Sequence, residues 1–216
     1  MLTPPRVESD ELLDEQNVPR PEMERSLRDL RRINRYAGGM GMYRKMLRRF
    51  APQAIVDLGA GTCDQLEGLD GVPLRVGLDF NLAHLTYLRE GSSVHRVVGD
   101  AHRLPFRDGA VDLVTSSHFF HHFSPDENVG ILRESLRVAR QGVAVTDTRR
   151  HYIALWFVML LGALRVVGRV TALDAPASVR QGYTLSEARA IAAKTGAAKW
   201  DLLRRWPFRW AILLWK

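Results

Sequence analysis

Apolar and polar positions change rhythm at about residue 53. Before it, Met23, Leu27, Leu30 and Ile33 recur at helical spacing behind Pro21, which suits a first turn, and predict a helix to about Ala37. "GGMG" at 38–41 interrupts that pattern, and Met42, Met46, Leu47 and Phe50 predict a second, shorter helix. Residues 1–19 read as a flexible acidic lead-in. Both helices precede the first predicted strand and are placed to cap a site, with Tyr36 and a Gly38-Gly39 hinge positioned to close over it.

Beyond residue 53 short apolar runs alternate with helical stretches. "QAIVDL" (53–58), "LRVGLD" (74–79), "VHRVVGD" (94–100), "AVDLVTS" (110–116) and "GVAVTD" (142–147) are the predicted strands. Between them lie a short helix near 64–69, the helix "NLAHLTYLRE" with Asn81 as N-cap, and "SPDENVGILRESLRVAR", opened by Ser124, Pro125 and Glu127 as a capping box. A helix over 151–168 follows, then a loop through "DAPASVRQGY", then "TLSEARAIAAKTG", started by Thr184 and Glu187 and stopped by Gly196. "AKWDLLRRW" and "FRWAILLWK" predict a closing hairpin split at Trp206-Pro207. The alternation implies an α/β fold: a parallel sheet with right-handed crossovers, helices on both faces, and an antiparallel edge from the final pair.

With 216 residues and an apolar fraction of 46%, the chain has room for one domain with a true core. Cys63 is its only cysteine, which excludes an intrachain disulfide and points to a reducing cytoplasm. The stretch "MLTPPRVESDELLDEQ" has no basic segment ahead of an apolar run, so no secretory signal is expected. The longest apolar run, 152–164, is thirteen residues, short of the roughly 18–20 that span a bilayer. A net charge of +7 raises the question of nucleic acid. The basic residues between Arg25 and Arg49 lack the interleaved aromatics of a stacking platform, so a solvated basic surface is the favoured reading.

The chemistry concentrates where strands end. In "QAIVDLGAGTCD", Gly59 and Gly61 free the backbone to approach a ligand. A dinucleotide fingerprint would place a third glycine at position 64, where Asp64 instead would repel a pyrophosphate. The loop suits a ligand without phosphates. Asp79 ends the second strand, placed to accept from two ribose hydroxyls, and Asp100 ends the third, placed to accept from an adenine amine beside the Ala101 backbone. Asp57, Asp79 and Asp100, one per βα unit, mark a nucleoside site.

The stretches "IVDLGAGTCD", "GLDFN", "VVGDAHRLPFRDGAVDLVTSSHFFHHF" and "LRESLRVARQGVAV" resemble, in order and spacing, the class I S-adenosylmethionine-dependent methyltransferases. The third is similar to their ubiquinone/menaquinone-type small-molecule branch. The resemblance implies a three-layer Rossmann-like sandwich with a mostly parallel seven-stranded sheet and an antiparallel C-terminal strand, and S-adenosylmethionine as methyl donor. By it, Gly59 and Gly61 would face the methionine part, Asp79 the ribose, and Asp100 with Ala101 the adenine. Asp57, Ala60, Phe80 and Ser116 stand beside them in the same stretches. Cys63 occupies a position where the family often has a third glycine. Residues 51–216 would form the methyltransferase domain, with 151–183 as an acceptor-side insertion, and 1–50 the lead-in and cap helices.

Methyl transfer to oxygen requires an oriented acceptor and removal of a proton. "SSHFFHHF" after the fourth strand offers His118, His121 and His122; His121 is favoured as base and His122 next. Asp147 is placed either to orient that histidine or to pair with Arg149 or Arg150. No His/Asp/Glu cluster shows metal-ligand spacing, and no metal is expected. The helix "HYIALWFVMLLGALRVVGRV" reads as a buried wall of the acceptor pocket. The sharper reading is a membrane-surface contact for a lipophilic substrate, with Arg149, Arg150, Arg165 and Arg169 at headgroup level and Trp200, Trp206 and Trp210 nearby. The sequence thus predicts a methyltransferase acting on a small aromatic or lipophilic acceptor, most simply at a phenolic or enolic oxygen. The alternatives are an RNA methyltransferase and a nucleoside-binding module without turnover.

Overall fold

In the computed structural model, which describes residues 3–14, 18–36, 39–69, 71–87 and 91–216, seven strands form one sheet. They are β1 (Ala54–Leu58), β2 (Leu74–Asp79), β3 (His95–Val98), β4 (Val111–Ser117), β5 (Ala139–Thr148), β6 (Lys199–Arg205) and β7 (Arg209–Trp215), in the order β3-β2-β1-β4-β5-β7-β6. Strands β1 to β5 pair in parallel, and β7 runs antiparallel between β5 and β6. The strand order reverses between β1 and β4, so their carboxyl ends frame the crevice where sheets of this kind bind ligands.

Strand β1 is buried throughout, as a parallel strand covered on both faces must be. Alternate side chains serve the two layers. Val56 and Leu58 pack with Val129, Ile131 and Leu132 of α5 (Pro125–Val138) and with Ile191 of α8 (Leu185–Ala193). Ile55 and Leu113 face the other way, onto Leu66 of α3 (Asp64–Glu67) and Leu85 of α4 (Leu82–Thr86). The predicted capping boxes at Ser124–Glu127 and Thr184–Glu187 both form.

Tertiary contacts revise the expectations at the N-terminus and after β5. Helix α1 (Arg20–Tyr36) is followed by α2 (Gly39–Leu47), and α2 is no lid: Met42, Tyr43 and Met46 are fully buried in the second core layer. Gly38 of the predicted hinge lies outside the described residues. The lead-in is anchored. Arg6 donates to the carbonyls of Phe123 and Gln181 (both 2.9 Å), and a short 3-10 turn, Leu12–Asp14, has the Leu12 and Leu13 amides donating to Asp174 (both 2.9 Å). Where a loop was predicted, Arg169–Gln181 forms α7 with Pro176 inside it. The Gly168 amide donates to Asp29 of α1 at 2.7 Å and the Thr171 hydroxyl meets Ser26 at 3.0 Å, contacts that tie the first turn of α7 to α1. The preceding α6 (Tyr152–Ala163) stops short of 168 and is not buried all round: one side packs on α7 and the other faces outward.

Candidate functional site

The loop leaving β1 turns through left-handed conformations. Gly59 has φ 61°, and a Cβ there would lie 2.3 Å from Cδ2 of Phe119, so nothing larger fits. Gly61 has φ 52° and faces open space, and its amide donates to Asp79 Oδ2 at 2.8 Å. The other oxygen of Asp79 accepts from the Asn81 amide at 2.8 Å, so this carboxylate at the end of β2 ties two loops together. Cys63 also has positive φ, 57°, which explains why glycine is at home there. Its sulfur faces Gly77 across β2, where any Cβ would clash at 2.4 Å, and burial pushes its thiol up to about 12. It packs and is no nucleophile.

Asp57 is buried beneath this loop. It accepts from Thr115 Oγ1 (2.7 Å) and from the Tyr43 hydroxyl (3.1 Å), and burial pushes its carboxyl up to about 6. Asp100 lies at the open rim, held by the His102 amide and ring (both 2.9 Å), with Ala101 buried behind it. Phe80 is 80% exposed at the same rim. Among the predicted residues, Ser116 and Asp147 do not line the cavity: the Ser116 hydroxyl donates to the Leu58 carbonyl at 2.9 Å, with Ser117 lining the cavity instead, and Asp147 is buried behind it.

These residues open on a cavity of about 490 Å³. Its wall carries five carboxylates, Glu11, Asp57, Asp64, Asp79 and Asp100, and no lysine or arginine among the described residues. A phosphate-bearing ligand would be repelled by such a wall and a cationic one drawn in. The cavity is acidic although the whole chain carries +7.

On the β4 and β5 side lie the histidines. Asp147 is fully buried and accepts from the His121 amide (3.0 Å) and from its Nδ1 (2.9 Å). Of the partners the sequence left open, Asp147 meets His121, while Arg150 turns away to Glu187 at 2.5 Å and Arg149 lies over the Phe208 ring. Glu11 arrives from the lead-in, its Oε1 3.4 Å from His121 Nε2 and accepting from Ser178 Oγ at 2.6 Å. Burial would lower the His121 pKa, but the Asp147 charge, its hydrogen bond and Glu11 outweigh that and hold it at about 10. Asp147 is correspondingly drawn down to about 2, against the effect of its own burial. His118 behaves oppositely. Burial and the neighbouring Arg209 guanidinium push it well below the ordinary histidine range. The His122 ring lies 4.3 Å from that of His121, and both line the cavity.

Glu11, His121 and His122 present ligand atoms within 4.8 Å of one another, a cluster that sequence spacing could not reveal because Glu11 stands over a hundred residues away. Asp147 takes the hydrogen bond from Nδ1, and Glu11 faces Nε2 at 3.4 Å without closing one, so two carboxylates flank one imidazolium. Glu11, Tyr43, Thr115 and Ser117 are among the site residues that sequence reasoning missed. The only signal for Tyr43 was its place in a helix with apolar spacing; for Glu11 there was none.

Residues 56–146 match the family described as methyltransferase domain. A demethylmenaquinone methyltransferase of Mycobacterium sp. (strain KMS) is 31% identical over 163 residues, which is 69% of this chain and 68% of that protein. Among solved structures, the plantazolicin methyltransferase BpumL in complex with SAH superposes with a TM-score of 0.70 at 12% identity, covering 94% of this chain and 92% of that one. A putative O-methyltransferase from Nostoc punctiforme gives 0.61 at 19% identity, covering 83% and 56%.

Proposed function

The chain belongs to the class I S-adenosylmethionine-dependent methyltransferases of small-molecule type, and from that premise we propose that it methylates a phenolic or enolic oxygen of a small hydrophobic acceptor. When bound, S-adenosylmethionine supplies an electrophilic methyl group on a cationic sulfonium. The acidic, phosphate-averse cavity fits such a donor. The backbone of Gly59, Ala60 and Gly61 would take its methionine part, where Gly61 leaves open space. Asp79 spends one lone pair of each oxygen on a loop amide and keeps capacity for ribose hydroxyls. Asp100 and Ala101, with Phe80 at the rim, would take the adenine; Asp57 supports the loop from below.

One observation carries the oxygen assignment: His121, held from behind by the buried Asp147, lines the same cavity as the glycine loop. A fixed imidazolium there favours the anionic form of an acceptor hydroxyl, and His122 is placed to receive its proton. Leu13, Leu27 and Leu30 add apolar lining suited to a hydrophobic acceptor. The RNA reading loses support from the same wall, since five carboxylates oppose a phosphate backbone.

The test is transfer of a labelled methyl group from S-adenosylmethionine to alkyl-substituted phenols, with total RNA as a competing acceptor. Label in a methoxy product supports the reading. Label on carbon, on nitrogen or only in RNA overturns it.

A further inference from the structure

Helix α6 has two unlike sides. Ala154 and Leu155 are buried, and Gly162 sits close against Ala172 of α7. On the other side Ile153, Trp156, Phe157, Leu160 and Leu164 are 51–65% exposed. Their spacing (i, i+3, i+4, i+7, i+11) places them within one stripe of the helix. Met159, Val166 and Leu173 extend the apolar surface, and Trp206, 84% exposed, adds a second tryptophan at the β6–β7 turn, where Phe208 packs with the α6 cluster. So much exposed apolar area in one place marks an interaction surface.

Charge names the occupant. From 148 to 173 the chain has no acidic residue, and Arg165 and Arg169 are exposed beside the stripe, Arg169 lying 3.4 Å from Glu22 of α1. Arg150 and Trp210 do not belong to this surface: one is buried on Glu187 and the other lies in the core. A second copy of the chain would bring arginines against arginines, whereas anionic lipid headgroups complement them. Tryptophan at the edge of an apolar stripe suits the same boundary. Helix α7, whose Ser178 lines the cavity, is the layer on which α6 packs. We infer that the α6 stripe seats the enzyme on an anionic membrane surface, within one helix layer of the site that takes its acceptor.

Flotation of the full chain with phospholipid vesicles tests this, and needs neither donor nor acceptor, so its outcome is separate from that of the methyl-transfer assay. With vesicles of three parts phosphatidylcholine to one part phosphatidylglycerol, the wild type floats. The Trp156→Gln/Phe157→Gln/Leu160→Gln variant loses at least about tenfold in partitioning while its circular dichroism and S-adenosylmethionine binding are unchanged. Arg165→Glu/Arg169→Glu, which leaves the apolar stripe intact, loses about tenfold on anionic vesicles only. The inference is overturned if the wild type stays in the buffer with these vesicles or floats equally with vesicles of phosphatidylcholine alone, or if neither variant changes its partitioning. It is equally overturned if sedimentation velocity shows a dimer that the glutamine variant dissolves.

Discussion

At the scale of single residues, the site is governed by which groups carry charge inside it. His121 is held protonated by Asp147 and Glu11, so its contribution to stability is complete below its ordinary pKa of 6.5 and is lost as the pH rises through about 10. The melting temperature should fall between those values in the wild type and much less in His121→Gln, which differential scanning fluorimetry across pH checks. The depressed Asp147 contributes in the opposite direction: its stabilisation is present above 3.8 and lost as the pH falls through about 2. His121→Gln should lower kcat/KM roughly 10²–10³-fold with S-adenosylmethionine affinity unchanged. Gly59→Ala meets both a positive φ and a contact of 2.3 Å with Phe119, so it should cost about 1–3 kcal/mol of stability and weaken donor binding, measurable by urea denaturation and calorimetry.

At the scale of elements, legibility followed the range of the signal. The strands, the capping boxes and the strand-end acids Asp57, Asp79 and Asp100 were readable because periodicity and turn chemistry are local. Helix α7 was not, because Asp29, Ser26 and the lead-in stabilise a segment that Pro176 and Gly182 make look like a loop. Nor was the anchored lead-in, whose partners Asp174, Gln181 and Phe123 are more than a hundred residues away. Ser116 failed for a simpler reason: alternation along β4 gives the cavity to its neighbour. The anchored lead-in, which carries Glu11, makes a prediction of its own. Glu11→Gln should lower the His121 pKa, seen as an imidazole NMR titration moving toward neutral pH, and should affect turnover while sparing donor affinity.

For the whole molecule, the sheet order places one acidic cavity at the switch point of a basic protein. Selectivity for a cationic donor is a property of that arrangement and of no single residue. Binding to the folded state alone should raise stability by about 2.7 kcal/mol at a hundredfold excess over Kd, a rise in melting temperature of roughly 5–10 °C for a chain of this size. The account stands or falls on what the Gly59–Gly61 loop and Asp79 hold. Calorimetric titration with S-adenosylmethionine, its demethylated product and NAD, in the wild type and in Asp79→Ala, asks this directly. The account predicts micromolar binding of the first two, lost in the variant, and no heat with NAD. Binding of NAD, or donor affinity undiminished in Asp79→Ala, would contradict it.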